Sequence, residues 1–287
     1  MTGTGFSPLT PQPYPSPREF KLSERAIGIF DSGVGGLTVL RELRRRLPYE
    51  ELVYLGDTAR VPYGTKSPQT VARYAREAAR FLVGQQVKLL VVACNTASAV
   101  ALDELAAIHR LPVVGVIEPG ARGALAATRT GRIGVIGTEG TVRSRAYERA
   151  LRAGNPAVEV FAAACPLFVP LAEEGWADHE IARLAAAEYL APLLREQIDT
   201  LVLGCTHYPL LKRTLQELVG PEVTLIDSAE ETAKTVAGLL AAQGLTHGPA
   251  APGLPRYFVT DAAERFERVG GAFLGAPLVD VATVTLD

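Results

Sequence analysis

No run of apolar residues in this 287-residue chain approaches the ~18 that a membrane-spanning helix requires, so none is expected. Cysteine is scarce. Cys94, Cys165 and Cys205 are an odd number, widely spaced, and no C-x-x-C occurs. That excludes a disulfide framework, a thioredoxin-type motif and an ordinary structural zinc site. An excess of either charge is also missing: 29 basic residues stand against 31 acidic ones, which points away from nucleic acid and membrane surfaces as partners. Neither G-x-G-x-x-G nor a P-loop is present, so no nucleotide-cofactor site is indicated. Residues 1–24 lack the apolar stretch of a secretory signal and carry Pro8, Pro11, Pro13, Pro15 and Pro17 instead. We read them as a flexible extension and expect a cytoplasmic protein.

What the chain does have is alternation. Short apolar runs recur at 26–30, 51–55, 87–93, 112–117, 132–137, 158–162, 199–204 and 223–226, with amphipathic stretches between them. Ser67-Pro68 opens one helix, with serine as cap and proline in the first turn; Ser228 with Glu231 opens another in a capping-box pattern. Strands alternating with helices predict an α/β fold, with parallel sheets covered on both faces and ligands gathering at the carboxyl ends of strands. The alternation also repeats. IGIFDSG (27–33) is echoed by IGVIGTEG (133–140), and LVVACNT (90–96) by LVLGCTH (201–207). Two motifs in the same order at nearly the same offset suggest two similar halves facing one cleft.

Both echoed runs that contain cysteine end in it, and hydrogen-bonding residues follow at once. A thiol serves as a base or an acid when its surroundings tune it. A lone buried cysteine is more often a small apolar filler, and Cys165, in FAAACPLF, is read that way. Two cysteines at equivalent strand ends favour chemistry. DSGVGG (31–36) makes a tight turn into a helix N-terminus, placing Asp31 near the cleft and offering Ser32 and turn amides to a carboxylate. His207 lies two residues past Cys205; His109, His179 and His247 stand in surface-like surroundings. From spacing alone, VPYG (61–64) and EEG (173–175) are loop elements.

IFDSGVGGLTVL, VPYGTKS, VVACNTAS, GVIEPGA, GVIGTEGTVRS, PLFVPLAEEG, LVLGCTHYPLL and the late VTDAAERF together resemble the glutamate racemases of the Asp/Glu racemase superfamily, from about residue 25 onward. The resemblance implies two pseudosymmetric parallel-sheet α/β domains with the active site between them. The first would comprise 25–121 and 229–287, and the second 122–228. It implies a homodimeric enzyme, free of cofactor and metal, that interconverts L- and D-glutamate and supplies the D-isomer for peptidoglycan. Cys94 would deprotonate D-glutamate while Cys205 donates, with roles exchanged for L-glutamate. Asp31, His207 and Glu174, with Glu173 as the alternative, would assist. Ser32, Pro62, Tyr63, Gly64, Asn95, Thr96, Thr138, Thr141 and Thr206 would contact the substrate.

Overall fold

The computed structural model describes residues 21–249 and 254–286. Strand β1 (Ile27–Asp31) leads to helix α1 (Leu37–Arg46), β2 (Leu52–Gly56) to α2 (Pro68–Gly84), β3 (Leu89–Val92) to α3 (Asn95–Ile108), and β4 (Val113–Gly115) to α4 (Ile117–Ala127). Then β5 (Arg132–Gly137) leads to α5 (Glu139–Ser144) and α6 (Ala146–Gly154), and β6 (Glu159–Ala164) to α7 (Phe168–Glu173) and α8 (Glu180–Arg195). Next, β7 (Thr200–Gly204) leads to α9 (Lys212–Val219), and β8 (Thr224–Asp227) to α10 (Ser228–Ala242). Finally come β9 (Arg256–Val259), α11 (Ala263–Leu274) and β10 (Val281–Thr283).

The strands form two sheets, ordered β10-β9-β2-β1-β3-β4 and β6-β5-β7-β8, and every pairing is parallel. The order β2-β1-β3-β4 is matched strand for strand by β6-β5-β7-β8. The echoed sequences therefore occupy equivalent places: β1 and β5 are central, and the two cysteine runs are β3 and β7. The first sheet gains β9 and β10 from the end of the chain, two short strands beyond the expected eight.

Parallel strands covered on both faces read as unbroken apolar runs, which is why eight were visible in the sequence. Alternate residues serve opposite faces. In the first sheet Phe30, Val53, Leu55 and Val92 meet Val71, Ala75 and Leu82 of α2 and Ala101 of α3. Ile29, Tyr54 and Val91 point the other way, into a core that continues through Leu37 and Leu40 of α1 to Val236 and Leu240 of α10 and on to Leu203 of the second sheet. Helix α10 packs on both α1 and α4 and so joins the halves. Ser67 caps α2 as expected, accepting from the Thr70 N–H at 3.3 Å. The cap of α10 is Asp227 rather than Ser228, since the Asp227 carboxylate takes the Ala229 N–H at 2.8 Å.

The Pro-rich stretch through residue 20 lies outside the described residues. Residues 21–24 correct the expected boundary of the extension. Leu22–Glu24 form a 3₁₀ turn, and the Ser23 carbonyl accepts from Lys88 Nζ at 2.7 Å. Lys88 sits at the amino end of β3, away from the strand-end loops. Its ammonium is fully buried, 2.5 Å from Glu50 Oε2, and also donates to the Leu245 carbonyl at 2.8 Å. Glu50 Oε1 in turn accepts the His247 N–H at 2.8 Å. One buried cation thus ties the chain's entry to the segment between α10 and β9. Among the described residues no helix is long and apolar enough to cross a membrane.

Removing one member of a buried pair leaves an uncompensated charge. Lys88→Met is expected to lose about 3–5 kcal/mol of unfolding free energy by denaturant titration. The native fraction should keep its strand-end geometry; a loss below about 1 kcal/mol would show that Glu50 is neutralised another way.

Candidate active site

The carboxyl ends of β1, β3, β5 and β7 converge. Asp31 ends β1 and is completely buried; its carboxylate accepts the Gly33 N–H at 2.9 Å and faces the Thr206 hydroxyl at 3.4 Å. The DSGVGG turn then runs directly against the loop after β7. A Cβ at Gly35 would lie 2.4 Å from His207 Nδ1 and 2.3 Å from Thr206 Oγ1, so only glycine fits. The Thr38 hydroxyl at the start of α1 lies 2.9 Å from the Thr206 carbonyl. On the other side of the cleft a Cβ at Gly64 would meet Thr138 Cβ at 2.8 Å. Small residues thus set how closely the halves approach.

Cys94 is the residue before α3 and is 6 % exposed; its Sγ lies 3.7 Å from Ser32 Oγ. Burial pushes this thiol up to about 12; the Asp31 charge adds to the rise, against the Ala97 amide and the Ser32 hydroxyl, and Cys205 contributes a further upward push. Cys205 follows β7 and is 5 % exposed, with Sγ 3.8 Å from His207 Nδ1. The other ring nitrogen of His207 lies 3.1 Å from Glu173 Oε1. Burial alone would lower the His207 pKa. Its contacts with Cys205 and Glu173, together with the Asp31 charge, reverse that and raise it to about 10. These contacts favour the charged form of the imidazole. Glu173 is held below the usual carboxylate range, first by its hydrogen bond to His207 and then by Arg265.

The two thiols line one cavity of about 230 Å³. Ser32, Pro62, Tyr63, Gly64, Asn95, Thr96, Thr138, Thr206 and His207 line it too, all of them named from the sequence. Asp31 and Thr141 stand just behind this wall rather than in it. One residue is corrected: Glu173, not Glu174, borders the cavity and reaches His207, while Glu174 follows α7 as its C-terminal cap, exposed to solvent. Cys165 is fully buried in the core, where its thiol faces the Ala163 carbonyl at 3.7 Å. His179 caps α8, its Nδ1 accepting the Ile181 N–H at 3.2 Å.

Among the described residues that line this cavity none is lysine or arginine; besides the two thiols, the His207 imidazole and the Glu173 carboxylate, the polar groups are hydroxyls, an amide and backbone. Thr96, Thr138 and Thr141 form a hydroxyl triangle with Oγ1 separations of 2.9, 3.3 and 3.1 Å. Asn95 Oδ1 accepts from the Tyr147 hydroxyl at 2.7 Å, which leaves its buried Nδ2 without a partner among the described residues. A buried donor facing a cavity suits an anionic ligand, and the amides at the start of α3 add to that preference. Val61, Val169 and Pro170 also line the cavity, and Tyr147 and Arg265 bear on its polar groups. Sequence reasoning missed all five.

The sequence model of Asp/Glu/Hydantoin racemase matches residues 32–236. The chain belongs to this family. It is a racemase, an isomerase. A glutamate racemase of Geobacter metallireducens is 61% identical over 263 residues, spanning 92% of this chain and 97% of that one. Among solved structures, the glutamate racemase RacE1 of Bacillus anthracis superposes with a TM-score of 0.89 at 42% identity, covering 92% of this chain and 98% of that one. Glutamate racemase from Francisella tularensis in complex with D-glutamate gives 0.86 at 39% identity, covering 92% and 99%. Two parallel-sheet α/β domains are thus this family's architecture as well as this chain's.

Glu173→Gln removes the anion facing the imidazolium, so the titration midpoint of His207, followed by NMR, should fall from about 10 toward the ordinary value near 6.5. Glu174→Gln should leave it in place. Equal shifts in both variants would contradict the geometry.

Proposed function

We propose that this racemase interconverts L- and D-glutamate with two thiols as its acid and base, without a cofactor. The observation that carries the reading is the placement of Cys94 and Cys205 on one small cavity, at equivalent strand ends of two matched sheets. Support for the substrate comes from relatives such as that of Geobacter metallireducens, named glutamate racemase, and from a structure titled as a complex with D-glutamate. We divide the chain into a first domain of 25–121 with 229–287 and a second of 122–228. Strand membership supports this, since the second sheet's strands lie between 132 and 227.

Inverting an α-carbon requires a proton to leave one face and another to arrive at the opposite face. A single fixed base tends to return the proton to the face it came from. With L-glutamate, the Cys205 thiolate takes the α-proton and the C–H electron pair stays on the α-carbon and its carboxylate. The Cys94 thiol then donates its proton to the other face. Its high pKa suits it to hold that proton at neutral pH until the carbanion forms. The reaction leaves a Cys205 thiol and a Cys94 thiolate, the pair required for D-glutamate. His207, beside Cys205, supplies positive charge while sulfur carries negative charge; Glu173 fixes its ring. Asp31 and Ser32 attend Cys94. The Asn95 amide, the threonine hydroxyls and the turn amides receive the two carboxylates, and they stabilise the charge that develops on the α-carboxylate. The D-isomer would serve peptidoglycan synthesis in the cytoplasm. A homodimer would cover apolar residues left exposed just before α7, on α8 and in the loop between them, among them Leu167, Trp176 and Leu184.

Each thiol is tested separately by an analogue carrying a leaving group on the β-carbon. Elimination needs one base: the α-proton leaves, its electron pair forms the Cα–Cβ double bond, and the leaving group departs. Cys94→Ser and Cys205→Ser should both lose racemisation by circular dichroism, since a hydroxyl is a far poorer acid and base than a thiol. Cys94→Ser should retain elimination from the L-analogue alone, and Cys205→Ser from the D-analogue alone. Loss or retention of the same isomer in both variants would overturn the assignment.

A further inference from the structure

Helix α11 belongs to the returning segment of the chain, yet two of its side chains reach the Cys205 wall. The ring of Phe273, fully buried, stands edge-on to the His207 ring with centroids 5.1 Å apart. Arg265 Nη2 lies 2.8 Å from Glu173 Oε2. Glu173 is thereby held at both oxygens: Oε1 faces His207 in its own domain, and Oε2 faces an arginine carried by the other.

The start of α11 is itself anchored. The Thr260 hydroxyl donates to Asp57 Oδ1 at 2.9 Å, and the Asp261 N–H donates to Thr58 Oγ1 at 2.9 Å. Phe266 packs on Tyr54 with centroids 5.8 Å apart, and the Tyr54 hydroxyl donates to the Gly33 carbonyl at 2.8 Å. The helix bearing Arg265 is thus fixed to the turn that carries Asp31 and Ser32. Arg265 does not line the cavity shared by the thiols. It borders a separate, smaller space of about 50 Å³ with Glu173, Val61 and Gly33.

We propose that Arg265 is a positioning residue for the Cys205 half of the reaction, acting through Glu173 and His207 and leaving the Cys94 half untouched. The proposal rests on the two-thiol reading. Its physical content is aim rather than charge. The Arg265 side chain is 53% exposed, and a solvated pair contributes little to stability. A carboxylate fixed at both oxygens cannot rotate away from the imidazole, whereas one fixed at a single oxygen can. Among the described residues no equivalent arginine attends Cys94, whose neighbours include Ser32 and the buried Asp31.

Racemisation rates cannot reveal a one-sided effect, because the enantiomers have equal free energy and kcat/KM must fall equally in both directions. Elimination can. Arg265→Gln is expected to lower kcat/KM for racemisation about tenfold with either isomer, and to slow elimination from the L-analogue by a similar factor. Elimination from the D-analogue should stay within about twofold of wild type. Arg265→Lys should recover part of the loss, keeping the charge while losing the planar fork. The melting temperature should be nearly unchanged in both. By NMR the His207 midpoint should fall in Arg265→Gln and return toward wild type in Arg265→Lys; this readout does not depend on the assignment of the thiols. An unchanged midpoint, or equal slowing of elimination from both isomers, overturns the proposal. If the single-cysteine variants separate the isomers and Arg265→Gln does not, this inference alone falls. If they fail to separate them, the two-thiol reading falls and the one-sided role with it.

Discussion

A side chain at Gly35 would put its Cβ within 2.5 Å of the His207 ring, and one at Gly64 would put it within 3 Å of Thr138. These two close approaches are the constraint on which the site depends. They bring the carboxyl ends of two parallel sheets near enough for one small cavity to be walled by both. Contacts across that junction then involve the groups that face the substrate space or back it: Thr96 with Thr138 and Thr141, Asn95 with Tyr147, Asp31 with Thr206. Domain interface and binding site are one network, so the polar groups that would receive carboxylates are held in place before any ligand arrives. Burial in this network also raises the cost of leaving a donor such as Asn95 Nδ2 unmatched, which favours an anionic occupant.

The backbone is nearly symmetric and the electrostatics are not. Cys94 has a buried carboxylate behind it and Cys205 an imidazolium beside it. In the proposed mechanism the thiol that holds its proton and the thiol that takes one exchange roles with each turnover, so the two enantiomers use complementary states of one pair. Equivalent strand ends supply the geometry, and burial beside Asp31 suits Cys94 to hold its proton.

Much of this was legible in the sequence, for physical reasons. Strands buried on both faces leave unbroken apolar runs, and β1 to β8 were visible that way. β10 is the edge strand and β9 lies beside it; both are partly exposed, and RYFV and VAT alternate or thin out the apolar residues, so they carried no comparable signal. The echo of β1 and β3 in β5 and β7 anticipated the matched strand order, because a repeated fold needs glycine turns and apolar strands at the same places. Glu173 and Glu174 are adjacent carboxylates. Only the phase of the six-residue α7 turns the first inward and leaves the second at the helix end. Tyr147 and Arg265 lie 52 and 92 residues from the groups they hold, and nothing local marks such partners. The capping pattern at Ser228 was one residue late because Asp227, the last residue of β8, supplies the acceptor.

The central claim is that separate groups serve the two faces of one α-carbon. Early in the conversion of L-glutamate in deuterium oxide, a donor equilibrated with solvent delivers deuterium to the face opposite the one deprotonated. The D-glutamate formed should therefore carry deuterium at the α-carbon, while the remaining L-glutamate stays protiated, as read by mass spectrometry after chiral separation. D-glutamate that keeps its α-proton, or deuterium entering both isomers from the start at equal rates, would contradict a two-thiol site.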